Sequence, residues 1–68
     1  MDIRSLIVKA LRKKYEADIE QAKTTANIYL ERPVGIGEHP QHLEEIDKLL
    51  DKIKEAEEKI SLIERWVK

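Results

Sequence analysis

Arg32-Pro33-Val34-Gly35-Ile36-Gly37-Glu38-His39-Pro40 holds both prolines and both glycines of the 68-residue chain. Proline at 33 cannot continue helical hydrogen bonding, and it pushes Arg32 toward extended geometry. Gly35 and Gly37 open backbone angles that side chains resist. Proline at 40 suits the first position of a new helix, because the N–H it lacks would have no partner there. His39 then falls at the N-cap. This stretch is a hinge: Pro33, Gly35, Gly37, His39 and Pro40 stop one helix and start another.

Upstream, residues 2–31 contain neither Gly nor Pro and are mostly good helix formers. Apolar residues recur at Ile3, Ile7, Leu11, Tyr15, Ile19, Ala22, Ala26 and Tyr29, three or four apart, which marks one helix face. Val8, Ile28 and Leu30 lie beside that stripe. Asp2 stands where a cap or first-turn anion belongs. Downstream, residues 40–67 carry a three-four pattern through Leu43, Ile46, Leu50, Ile53, Ile60 and Val67, flanked by Leu49, Ala56 and Ile63. Glu57 and Glu64 stand where that pattern calls for further apolar residues. Glu44–Lys48, Glu55–Lys59 and Glu64–Lys68 are acid-before-base pairs at i,i+4.

Two long helices joined by the 32–39 hinge predict an all-α antiparallel hairpin forming one domain over 1–68. A chain this short has difficulty burying enough surface alone, and it has no cysteine to staple it. The apolar stripes are also wider than one helix pair covers. A homodimer closing a four-helix bundle is therefore expected, with Tyr15, Ile19, Ala22, Ala26, Leu50, Ile53, Ile60, Leu62 and Trp66 at helix interfaces. Trp66 either anchors a partner or folds over the open end near Ile3, Leu6 or Ile7.

Charge supplies a direction for that pairing. The open end carries Lys59, Arg65 and Lys68 against Glu64, beside a basic N-terminal segment. The hinge end carries Glu31, Glu38, Glu44, Glu45 and Asp47 against Arg32 and Lys48. Opposite charges at opposite ends favour an antiparallel homodimer.

Composition narrows the function classes. The chain has 13 basic and 14 acidic side chains, a net charge of −1, which gives no global pull toward nucleic acid or anionic membrane. No stretch approaches the ~18 apolar residues of a membrane span. The first residues are too short an apolar run for a secretory signal. A soluble, cytoplasmic protein is the expectation. Arg4, Lys9, Arg12, Lys13 and Lys14 make the first fifteen residues basic, a candidate nucleic-acid contact through phosphates. No aromatic residues interleave with them as a binding motif requires. A nucleic-acid-associated accessory factor is the alternative to a structural module.

Glu38, His39, His42 and Glu45 cluster near the start of the second helix, and His42 and Glu45 share a face at i,i+3. Capping and dipole compensation account for this cluster, so neither a metal nor a cofactor is expected. Gly35-Ile36-Gly37 matches no phosphate-binding fingerprint, and nearby glutamates repel anions. No catalytic set is visible: Ser5 and Ser61 lie far from both histidines in a hairpin. A non-enzymatic interaction module is the reading.

The hinge Pro33-Val34-Gly35-Ile36-Gly37-Glu38-His39-Pro40, preceded by Lys14-Tyr15-Glu16 in the first helix, resembles a group of small uncharacterised proteins of marine tailed bacteriophages. Where relatives place an acid after the proline, this chain has Gln41. The resemblance implies a viral protein in an infected bacterial cytoplasm. It supplies no activity.

Overall fold

The computed structural model describes residues 2–31 and 41–66. Two helices account for nearly all of them: α1 (Ile3–Glu31) and α2 (Gln41–Trp66). They pack against each other as an all-α hairpin measuring 53 × 18 × 12 Å. The hinge residues 32–40, and with them the expected roles of Pro33, Gly35, Gly37, His39 and Pro40, lie outside the described residues, as does Val67.

The start of α1 follows from one side chain. Asp2 Oδ1 accepts the Arg4 backbone N–H at 3.1 Å, and its Oδ2 accepts the Ser5 hydroxyl at 3.2 Å. The Leu6 N–H donates to the Asp2 carbonyl at 3.1 Å. Asp2 thus satisfies helix-start donors that would otherwise lack partners, and its charge suits the positive end of the dipole.

The two helices meet along a heptad seam. On α1 the half-buried or buried positions Val8, Arg12, Tyr15, Ile19, Ala22, Ala26 and Tyr29 alternate four and three apart. On α2 the matching row is Ile46, Leu49, Ile53, Ala56, Ile60 and Ile63. Rows of this period stay in contact with a supercoiling neighbour. Arg12 is level with Glu64 and Tyr15 with Lys59, judged by their contacts. Stepping along the seam from that register sets Ile19 opposite Ala56, Ala22 opposite Ile53 and Ala26 opposite Leu49. Each central layer therefore pairs one alanine with one branched side chain. Small beside large lets the backbones approach closely without a void. Ala22, Ala56 and Ile63 are the most deeply buried apolar residues, at 3%, 4% and 8% exposure.

This seam corrects the stripes expected from sequence in two places. On α1, Ile7 and Leu11 sit outside it, and Val8 and Arg12 take their places. Steps of four drift about 40° around the helix each time, so the Ile3-Ile7-Leu11 row winds away from the partner. On α2, the flanking row Leu49, Ala56 and Ile63 is the buried one, whereas Leu43 and Leu50 face solvent. The row of Leu43 and Leu50 continues into Glu57 and Glu64, which a buried row does not tolerate.

The seam assigns unequal costs to similar truncations. Ile63→Ala is expected to destabilise by ~2–4 kcal/mol, through lost burial and a residual cavity. Leu50→Ala, at a position 56% exposed, is expected to stay within about 1 kcal/mol. Chemical denaturation of the two variants checks this, and equal losses would place the seam wrongly.

Candidate protein-interaction face

The side of the hairpin bearing Asp18, Thr25, Lys52 and Lys59 forms a shallow groove between the helices, about 600 Å³ in volume. Its floor is Tyr15, Ala22, Leu49 and Ala56, and its walls add Lys14, Gln21, Glu45 and Glu55. The groove exists because two alanines face it: larger side chains there would fill the space between the helix ridges. Thr25 donates its hydroxyl to the Gln21 carbonyl at 3.0 Å, turning its polar atom back onto its own helix.

Tyr15 organises the end of the groove away from the hinge. Lys14 Nζ and Lys59 Nζ lie 5.4 and 5.5 Å from its ring centroid, within cation–π range. Each ammonium is also tied to an acid one turn along its own helix. Lys14 donates to Asp18 at 2.9 Å, and Lys59 pairs with Glu55 at 3.0 Å. The hydrogen bond that Lys59 donates to the Glu55 carboxylate, and that carboxylate's charge, hold the Lys59 ammonium above the ordinary lysine value of 10.5 against the opposing effect of desolvation, with lesser help from Tyr15 and Asp18. Lys48 pairs with Glu45 at 3.6 Å. The groove lining carries Lys14, Lys52 and Lys59 against Asp18, Glu45 and Glu55, so it is electrically balanced.

An ion pair crosses the seam: Arg12 Nη1 to Glu64 Oε1 at 3.9 Å. A charged side chain in a seam layer disfavours a slip of α2 toward the hinge, which would leave it without an acid; the opposite slip of seven residues would set Glu57 beside it.

The expected interface residues divide into two groups. Tyr15, Ile19, Ala22, Ala26, Ile53 and Ile60 lie in the seam within the hairpin, half-buried or buried. Leu50, Leu62 and Trp66 are exposed, at 56%, 47% and 82%. Trp66 therefore does not fold down over the open end. The basic N-terminal run is split in the same way. Arg12 engages Glu64, and Lys14 engages Asp18 and Tyr15, while Lys9 and Lys13 face solvent. Among the described residues, no group of three or more His, Asp or Glu gathers to hold a metal ion. Glu38 and His39 lie outside the described residues.

The sequence reading missed Arg12 as a seam residue. Its spacing of four from Val8 and three from Tyr15 was the available signal. Comparison with protein families, curated proteins and solved structures finds no match for this chain.

The raised Lys59 pKa carries a pH signature. A group whose folded pKa exceeds its unfolded value contributes stability that is complete below the unfolded value and is lost as pH climbs through the folded one. Lys59→Gln is therefore expected to lower the thermal midpoint by a constant amount from pH 6 to 9. The difference should shrink above about pH 10.5. A difference that grows with alkaline pH would contradict the assignment.

Proposed function

We propose that this chain is a non-enzymatic helical-hairpin interaction module that pairs with a second copy of itself, completing a four-helix bundle. The observation that carries the reading is unburied surface. The chain exposes 5817 Å². A compact protein of 8.0 kDa exposes about 4,500 Å². The excess is somewhat above the ~800 Å² per partner that a standard interface removes. Among the described residues ten large hydrophobic side chains are exposed: Ile3, Leu6, Ile7, Leu11, Ile28, Leu30, Leu43, Leu50, Leu62 and Trp66. A protein that keeps so much apolar surface on a narrow rod needs something to cover it.

The hinge resemblance supports reading the chain as a phage accessory protein acting in the cytoplasm of an infected bacterium. No helix among the described residues is long and apolar enough to cross a membrane. The nucleic-acid alternative has less support, because Arg12 and Lys14 already have acidic partners within the hairpin.

Solution mass decides the reading. Sedimentation at low micromolar concentration is expected to give twice the chain mass. A monomer at that concentration, unchanged on raising it tenfold, would rule self-pairing out.

A further inference from the structure

The exposed apolar residues are not spread evenly, and the heptad repeat shows where they fall. Leu11 stands seven residues before Asp18, and Ile7 stands seven before Lys14. Trp66 follows Lys59 by seven, and Leu62 follows Glu55 by seven. Asp18, Lys14, Lys59 and Glu55 all line the groove. Ile7, Leu11, Leu62 and Trp66 therefore continue the groove side to the open end of the hairpin. There the polar lining gives way to an apolar patch, with exposures of 54%, 37%, 47% and 82%. Leu43 and Leu50, seven residues apart on α2, belong to the opposite side, nearer the hinge, and so does Leu30, whereas Ile28, seven residues after the groove-lining Gln21, lies alone on the groove side toward the hinge.

We infer that two copies pair through the groove side with their hairpins pointing the same way, so that Ile7 and Leu11 of each copy meet Leu62 and Trp66 of the other. This rests on the self-pairing reading above and adds the face and the direction. A twofold axis along the rods sets α1 of one copy over α2 of its partner. Residues level within one hairpin are then level across the interface too. The Arg12–Glu64 and Tyr15–Lys59 contacts put Ile7 and Leu11 near the height of Leu62 and Trp66. The apolar patch is thus its own complement under this axis.

The end charges alone favour the opposite direction. That arrangement sets Ile7 and Leu11 against Ile28, but it sets Leu62 and Trp66 against Glu45 and Lys48 at the hinge end of the same side. Burying a tryptophan and three aliphatic side chains against one another outweighs a handful of exposed, salt-screened charge contacts. The groove lining between the patch and the hinge is balanced in charge, so meeting its own copy there brings no net repulsion. Trp66 supplies the large aromatic anchor on which affinity commonly concentrates.

Three measurements on the full chain test the arrangement: mass, the effect of substitutions on dimer affinity, and the distance between spin labels at Glu31→Cys in the two copies. Circular dichroism confirms that each variant remains helical. The expected result is a dimer with labels closer than ~25 Å, weakened tenfold or more by Trp66→Ala and by Leu62→Glu, and unaffected by Leu50→Glu. A dimer with labels on the order of 40 Å apart would overturn the direction. A dimer broken by Leu50→Glu but not by Leu62→Glu would overturn the face. Both of those outcomes leave self-pairing standing, whereas a monomeric mass removes it together with this inference.

Discussion

Close approach of two helices over alanine is the constraint on which this hairpin depends. Ala22, Ala26 and Ala56 each face a branched side chain across the seam, which keeps the layers thin and the helices near. Thin layers bury little area per residue. A seam built this way sets register and direction well but contributes modest hydrophobic stabilisation. The same small residues leave a groove on one side, because nothing large stands between the ridges there. Narrow core, open groove and exposed apolar flanks are three consequences of one choice of side-chain size.

Register has its own safeguards. Heptad rows such as these tolerate a slip of seven residues, since an apolar residue again meets an apolar residue. Arg12 breaks that degeneracy in one direction: a slip of α2 seven residues toward the hinge leaves no acid beside it, whereas the opposite slip sets Glu57 there. The Tyr15 ring, flanked by Lys14 and Lys59, marks the same direction a few residues along, because the slip toward the hinge replaces Lys59 by Trp66 while the opposite one sets Lys52 there. Exposed ion pairs are individually weak. Their role here is to separate one pairing from its near-equivalents rather than to supply the bulk of the stability.

Much of the fold was legible in the sequence. Gly and Pro confined to residues 33–40, with uninterrupted helix formers on both sides, leave few alternatives to a helical pair. The half of α1 from Tyr15 to Tyr29 was also legible, because its steps alternate three and four. The first half was not: Ile3, Ile7 and Leu11 make a continuous apolar row that looks like a core face, yet its steps of four carry it out of the seam. On α2, two rows compete, and hydrophobicity favours leucine at 43 and 50 over alanine at 56. Geometry favours the row that stays apolar throughout, and Glu57 and Glu64 were the sign of which row that is. The candidate interaction face was legible only in part. Leu62 and Trp66 stand out by type, but their alignment with Ile7 and Leu11 requires the register between the helices.

In the proposed pairing, a second copy covers the apolar surface that the seam leaves exposed. Association then adds to the stability of the fold, and stability must depend on concentration. The direct measurement is the thermal unfolding midpoint across a hundredfold range of protein concentration. The expected midpoint rises steadily with concentration. A midpoint that stays constant across that range would contradict the pairing, because the hairpin would then be stable by its own seam.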